Sequence, residues 1–216
     1  MEKKKGIVCF LDVYGYSSIS LDGDAEINAD RLLIMWEDIK YKLGNLDDGD
    51  IISFTALSDS AFIGFDVSRK SPNLVYEENV KDVISSVLSV ACDFGFVMRG
   101  AAAYGQYIIN GSVVGGEAVI YANRFERVIK LPIFYTPFSE IEKIKKDSTL
   151  KFPLGCGVVL NTRDGGVVFA DIIMPAPSDD YVSLINDMLE KAKLCNNHIL
   201  VKTMMEVLDV FRCQAK

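Results

Sequence analysis

The segment Ile7-Val8-Cys9-Phe10-Leu11 is apolar at every position, comes after a lysine run and ends at Asp12. Side chains of a strand alternate between its two faces, so a strand that is apolar throughout is a buried one. Residues 6–13 are therefore predicted as a buried strand, which later elements of the chain must cover. Residues 24–43 read as a helix, because Leu32, Trp36, Ile39 and Leu43 share one face at helical spacing. After the polar turn Asn45 to Asp50, Ile51 to Ala56 and Ser60 to Asp66 read as a hairpin with Leu57-Ser58-Asp59 at its bend. Ser71-Pro72-Asn73 breaks the chain before a second helix, about 75–93, with a stripe of Val80, Val83, Ile84, Val87, Leu88 and Ala91. Phe96 to Tyr104 reads as another strand. The order strand, helix, strand, strand, helix, strand is that of a ferredoxin-like α+β fold, an antiparallel sheet with helices on one face.

The rest of the chain extends this core. Gly105 to Gly111 reads as a turn or short hairpin, and a helix starts near Gly116. Leu131-Pro132-Ile133-Phe134-Tyr135 is expected to be a short edge strand, where a proline is tolerated. Phe152 to Leu160 and Gly166 to Ala170 form an expected hairpin around Asn161 to Gly165. Pro175-Ala176-Pro177 introduces one long amphipathic helix, about 178–210. The expectation is a single domain over 1–216, with a core of about 6–135 and a C-terminal extension of about 136–216.

Composition excludes several classes of function. With a net charge of -7, the chain lacks the broad basic footprint of a duplex nucleic-acid binder. Its five cysteines are scattered, form no CxxC pair and suit a reducing, cytoplasmic setting. The apolar run after Met1-Glu2-Lys3-Lys4-Lys5 is interrupted by Asp12, so neither a signal peptide nor a membrane span is expected. His198 is the only histidine and falls in the C-terminal helix, which makes a Ser-His-Asp arrangement unattractive.

Two carboxylates stand out instead. Asp12 closes the buried strand and is followed by glycine and small residues; Asp59 lies between two further apolar runs. Two such carboxylates on neighbouring strands are suited to clamping two divalent cations for phosphoryl-type chemistry. Ordinary alternatives exist for each. Asp12 can cap the loop and helix after it, and Asp59 can bond to its own turn backbone.

Four segments together resemble class III nucleotidyl cyclases. Phe10-Leu11-Asp12-Val13-Tyr14-Gly15-Tyr16-Ser17-Ser18-Ile19-Ser20 resembles the first metal-binding segment, and Ser58-Asp59-Ser60 the second. Met98-Arg99-Gly100-Ala101-Ala102-Ala103-Tyr104-Gly105 resembles the central strand. Gly115-Gly116-Glu117-Ala118-Val119-Ile120-Tyr121-Ala122-Asn123-Arg124-Phe125-Glu126 resembles the glycine-led helix after it. The resemblance covers residues 7–130 in the family's order. It implies that Asp12 and Asp59 hold two Mg or Mn ions, with the carbonyl of Leu11 or Val13 an added ligand. It implies that Val13, Tyr14, Gly15, Tyr16 and Ser17 offer backbone and hydroxyl groups to a triphosphate, and that Arg124 meets charge developing at the α-phosphate. Arg99 is a further phosphate or structural arginine. The implied assembly is a homodimer whose sites lie at the interface, the aspartates from one subunit and the arginine-bearing helix from the other.

The departures from the family are equally specific. Its purine-reading positions fall on Thr55 and Val113, and its transition-state asparagine falls on Ile120. Thr55 is thus a candidate nucleotide contact without a purine reader's side chain. This pattern resembles the bacterial pyrimidine cyclases of antiphage defence, which implies conversion of UTP or CTP to a 3',5'-cyclic monophosphate and pyrophosphate. Three alternatives stay open: a purine cyclase, a cyclase-like module that binds a nucleotide or partner, and a palm or diguanylate-cyclase-like domain. Arg124 also has an ordinary alternative, a surface pair on its own helix.

Overall fold

The computed structural model describes residues 3–16, 25–46, 52–148, 158–173, 179–194 and 198–214. Strand β1 (Lys4–Val13) is followed by helix α1 (Ala25–Leu46), then the hairpin β2 (Ile52–Leu57) and β3 (Ser60–Asp66). A short turn, Pro72–Leu74, and a π-helical segment, Val75–Val80, lead into α2 (Lys81–Asp93). Next come β4 (Met98–Asn110), β5 (Val113–Gly115), α3 (Glu117–Glu126), β6 (Phe134–Pro137) and α4 (Phe138–Lys146). The hairpin β7 (Val158–Asn161) and β8 (Val167–Ile173) precedes α5 (Asp179–Leu194) and α6 (His198–Gln214).

One sheet runs through these elements in the order β2-β3-β1-β4-β6-β8-β7, with β5 pairing off β4. The predicted core order is present, and β1 is central, antiparallel to both β3 and β4. Its alternation sorts the core into two layers. Ile7, Cys9 and Leu11 face Met35, Trp36 and Ile39 of α1 and Val83, Ile84 and Val87 of α2. Val8 and Phe10 face the other way, onto Ala118, Val119 and Ala122 of α3. The core's two helices, α1 and α2, thus lie on one face as expected, and α3, which follows the core, covers the opposite face. Asp12 is two residues beyond Phe10 and so lies on the α3 side.

Three further expectations are corrected. The segment 105–111 is largely strand, because β4 runs on to Asn110 before turning into β5. The strand near 131–135 is not at an edge: β6 starts after Pro132 and lies between β4, to which it is parallel, and β8. The single C-terminal helix is two helices. Ile185 and Leu189 of α5 pack with Met204, Val207 and Leu208 of α6 in one cluster. A continuous helix could not fold its second apolar stripe back onto the first. Helix α4 was not anticipated. Its inward Ile141 and Ile144 are fully buried.

Candidate active site

Asp12 sits at the end of β1, in register with Ser60 on β3 and Arg99 on β4. Arg99 Nε and Nη2 donate to one oxygen of Asp12, Oδ2, at 3.0 and 2.9 Å. The same Nε lies 2.6 Å from Oε1 of Glu126, the last residue of α3. An Nε carries a single hydrogen, and here it points at Asp12. Glu126 Oε1 is accordingly buried without accepting a hydrogen bond, in a residue only 4% exposed. One guanidinium therefore holds two carboxylates on the α3 side of the sheet. Burial pushes the Asp12 carboxyl up; Arg99 opposes this, and nearby Asp59 adds to it. Burial likewise pushes Glu126 up, with Arg99 opposing and Asp12 adding.

Asp59 is held in the β2–β3 turn, which is tied from two sides. The Val13 N–H donates to the Asp59 carbonyl at 2.9 Å, closing the end of β1 onto the turn. Trp36 Nε1 donates to the Ser58 carbonyl at 2.9 Å from α1. Ser58 itself is left-handed, with φ 59°. Serine there carries a cost that the two ties offset. The sheet thus brings the two predicted metal aspartates together at one end of β1 and of the β2–β3 hairpin.

Beside Asp12 is a cavity of about 530 Å³ whose charged lining is Asp12, Glu126, Arg99, Arg127 and Arg163. Three arginines against two carboxylates suit it to an anion with several oxygens. Arg163 projects from the β7–β8 turn, which is docked onto the end of α3. Its N–H donates to Val128 O at 2.9 Å and its Nε to Ile129 O at 3.3 Å. Asn123 and Ser60 complete the polar lining. None of Asn123, Glu126, Arg127 or Arg163 was singled out from the sequence as a site residue. The first three recur at i, i+3 and i+4, which is the one signal that could have found them.

The remaining candidates are dispersed. Val13 is buried and uses its N–H on Asp59. The Tyr14 ring lies 5.6 Å from the Arg99 guanidinium carbon and packs toward the C-terminal helices. Gly15 is exposed with φ 75°, and Tyr16 packs edge-on against Phe96. Ser17 lies outside the described residues. Thr55 does not line the cavity: it is buried on the outermost strand, and its hydroxyl donates to Gly111 O at 2.6 Å. Arg124 is also absent from the lining. It is exposed on the outward stripe of α3 with Ile120, which is 52% exposed.

Among the described residues no group of three or more His, Cys, Asp or Glu side chains could hold a metal ion. A strand-end carboxylate, Asp12, and a turn carboxylate, Asp59, still fit Mg or Mn, which bind through one or two carboxylates plus waters and substrate phosphates. No described helix is long and apolar enough to cross a membrane.

No protein-family model matches the chain, and no curated protein matches its sequence. Solved structures do match its fold. The guanylyl cyclase Cya2 is 13% identical with a TM-score of 0.51, covering 82% of this chain and 96% of that one. An adenylate cyclase from Trypanosoma brucei, solved in its monomeric state, is 11% identical with a TM-score of 0.50, covering 80% and 89%. The chain has the mixed α+β fold of the class III nucleotidyl cyclases.

Proposed function

We propose that this cyclase-fold chain is a metal-dependent nucleotide cyclase, that its substrate is UTP or CTP, and that it works as a homodimer. The observation that carries the reading is the pairing of Asp12 and Asp59 at one sheet end, next to a cavity lined by three arginines. In the reaction the ribose 3'-oxygen bonds to the α-phosphorus, the bond from that phosphorus to the β-phosphate bridging oxygen breaks, and pyrophosphate leaves. The 3'-hydroxyl proton passes to water. Divalent cations held by Asp12 and Asp59, when bound, would acidify that hydroxyl and neutralise phosphate charge. Arg99, Arg127 and Arg163 offer donors to phosphate oxygens from the same chain.

Two observations support the finer parts. Thr55 has its hydroxyl committed to Gly111, and Val113 is an exposed apolar residue, so neither supplies a purine reader's free polar group. Val113, Ile120 and Arg124 all face away from their own chain's cavity, as half-sites completed by a second copy would. Incubation with each of the four NTPs and Mn, read by mass, tests the activity. A cyclic monophosphate from UTP or CTP is expected. Product from ATP or GTP alone would move the reading to a purine cyclase, and no product from any would remove it. Exposed Ile120, unable to donate a hydrogen bond, favours a second reading: a cyclase-like module that binds nucleotide without turnover. Binding by calorimetry with silent turnover would select it.

A further inference from the structure

We propose that Arg99 is the metal site's own resident cation: Glu126 anchors it, and a divalent ion arriving at Asp12 displaces the guanidinium wholly onto Glu126. The inference rests on the reading of Asp12 as a metal ligand. It goes further by giving Glu126 a positioning role and by coupling metal occupancy to the state of a cavity arginine.

The geometry is specific. Both directed hydrogen bonds of Arg99 go to a single Asp12 oxygen, the atom a hard cation would need. A cation and a guanidinium cannot both occupy that oxygen at contact distance without strong like-charge repulsion. Arg99 therefore has to give way, and a second acceptor is already in place. Glu126 Oε1 lies 2.6 Å from Nε, buried and accepting no hydrogen bond. A small rotation of the guanidinium turns its Nε–H from Asp12 to Glu126. A buried carboxylate with an unused acceptor is costly to keep, and the handover relieves that cost only when Asp12 is taken by metal. The Tyr14 ring, 5.6 Å from the guanidinium carbon, bounds its travel on another side. Metal binding thus reorients an arginine of the anion cavity at the moment a cation-bound triphosphate arrives.

Glu126 then acts through Arg99, and the signature is non-additivity. Mn affinity is measured by the loss of the free-ion paramagnetic resonance signal, with no nucleotide present, on wild type, Arg99→Met, Glu126→Gln and the double variant. Thermal denaturation checks that each is folded. Arg99→Met is expected to tighten Mn about tenfold by removing the competitor. Glu126→Gln is expected to weaken Mn about tenfold when Arg99 is present, because Asp12 is then its sole carboxylate partner, and less than about twofold in the double variant. Equal weakening by Glu126→Gln in both backgrounds would overturn the proposal, since it would mean a direct or purely electrostatic effect. So would Arg99→Met leaving Mn affinity unchanged, which is decisive even if Glu126→Gln does not fold. Wild-type Mn binding that survives Asp12→Ala would instead sink the underlying metal reading, and the handover with it.

Discussion

At the scale of single residues, the site is held together by charges that are awkward without one another. Asp12 and Glu126 are both pushed up by burial and both depend on Arg99. Removing Asp12 leaves Arg99 with Glu126 still beside it, so no buried charge is stranded. Asp12→Ala is therefore expected to lower metal-free stability by no more than about 2 kcal/mol. Metal linkage is the sharper readout. Mn at a hundred times its dissociation constant stabilises a folded state by about 2.7 kcal/mol. Thermal denaturation with and without Mn should show that gain in wild type and lose it in Asp12→Ala and Asp59→Ala. A gain undiminished in both variants would remove the metal site. Asp12 and Asp59 were legible in the sequence because a charge that closes an apolar run is conspicuous. Glu126 and Arg163 were not, since an acid at a helix end and an arginine in a hairpin turn look like surface residues until the fold buries one and docks the other.

At the scale of elements, α3 decides how the cavity is lined, and its start depends on one backbone conformation. Gly116 has φ 109°, and a Cβ there would lie 2.5 Å from Gln106 O. Gly116→Ala is expected to cost about 1–3 kcal/mol, read by chemical denaturation, because both strain and a backbone clash must be relieved. Gly15→Ala, with φ 75° but open space, should cost less. A Gly116→Ala variant as stable as wild type would mean that α3 can re-seat freely. Periodicity located α1 and α2 in the sequence, and the glycine pair at Gly115-Gly116 marked the start of α3. Periodicity could not separate α5 from α6, because both carry apolar stripes and the chain between them shows no proline. Nor could it place β6, whose interior position comes from pairing with β4 and β8 rather than from any local pattern.

At the scale of the whole molecule, the two faces of α3 point to different destinations. Asn123, Glu126 and Arg127 line the chain's own cavity, while Ile120 and Arg124 face outward. If Arg124 serves the site of a second copy, Arg124→Ala and Asp59→Ala should each be inactive alone and should complement when co-expressed. Random pairing makes about half of the dimers mixed, and half the sites in those are intact, so about a quarter of wild-type activity per site should return. Mixed dimers without activity would put Asp59 and Arg124 in one chain's site or leave Arg124 without a role in turnover.

By itself the sequence determined the order of the core elements, the buried central strand and the two aspartates. These are recorded in local periodicity and in charges that interrupt it. Only the tertiary structure decided that α3 lies on the Asp12 face, that Glu126 is buried against Arg99, and that Arg163 arrives from a turn distant in the chain. Those contacts depend on strand register and on which sheet face each helix covers, and both are set by long-range packing.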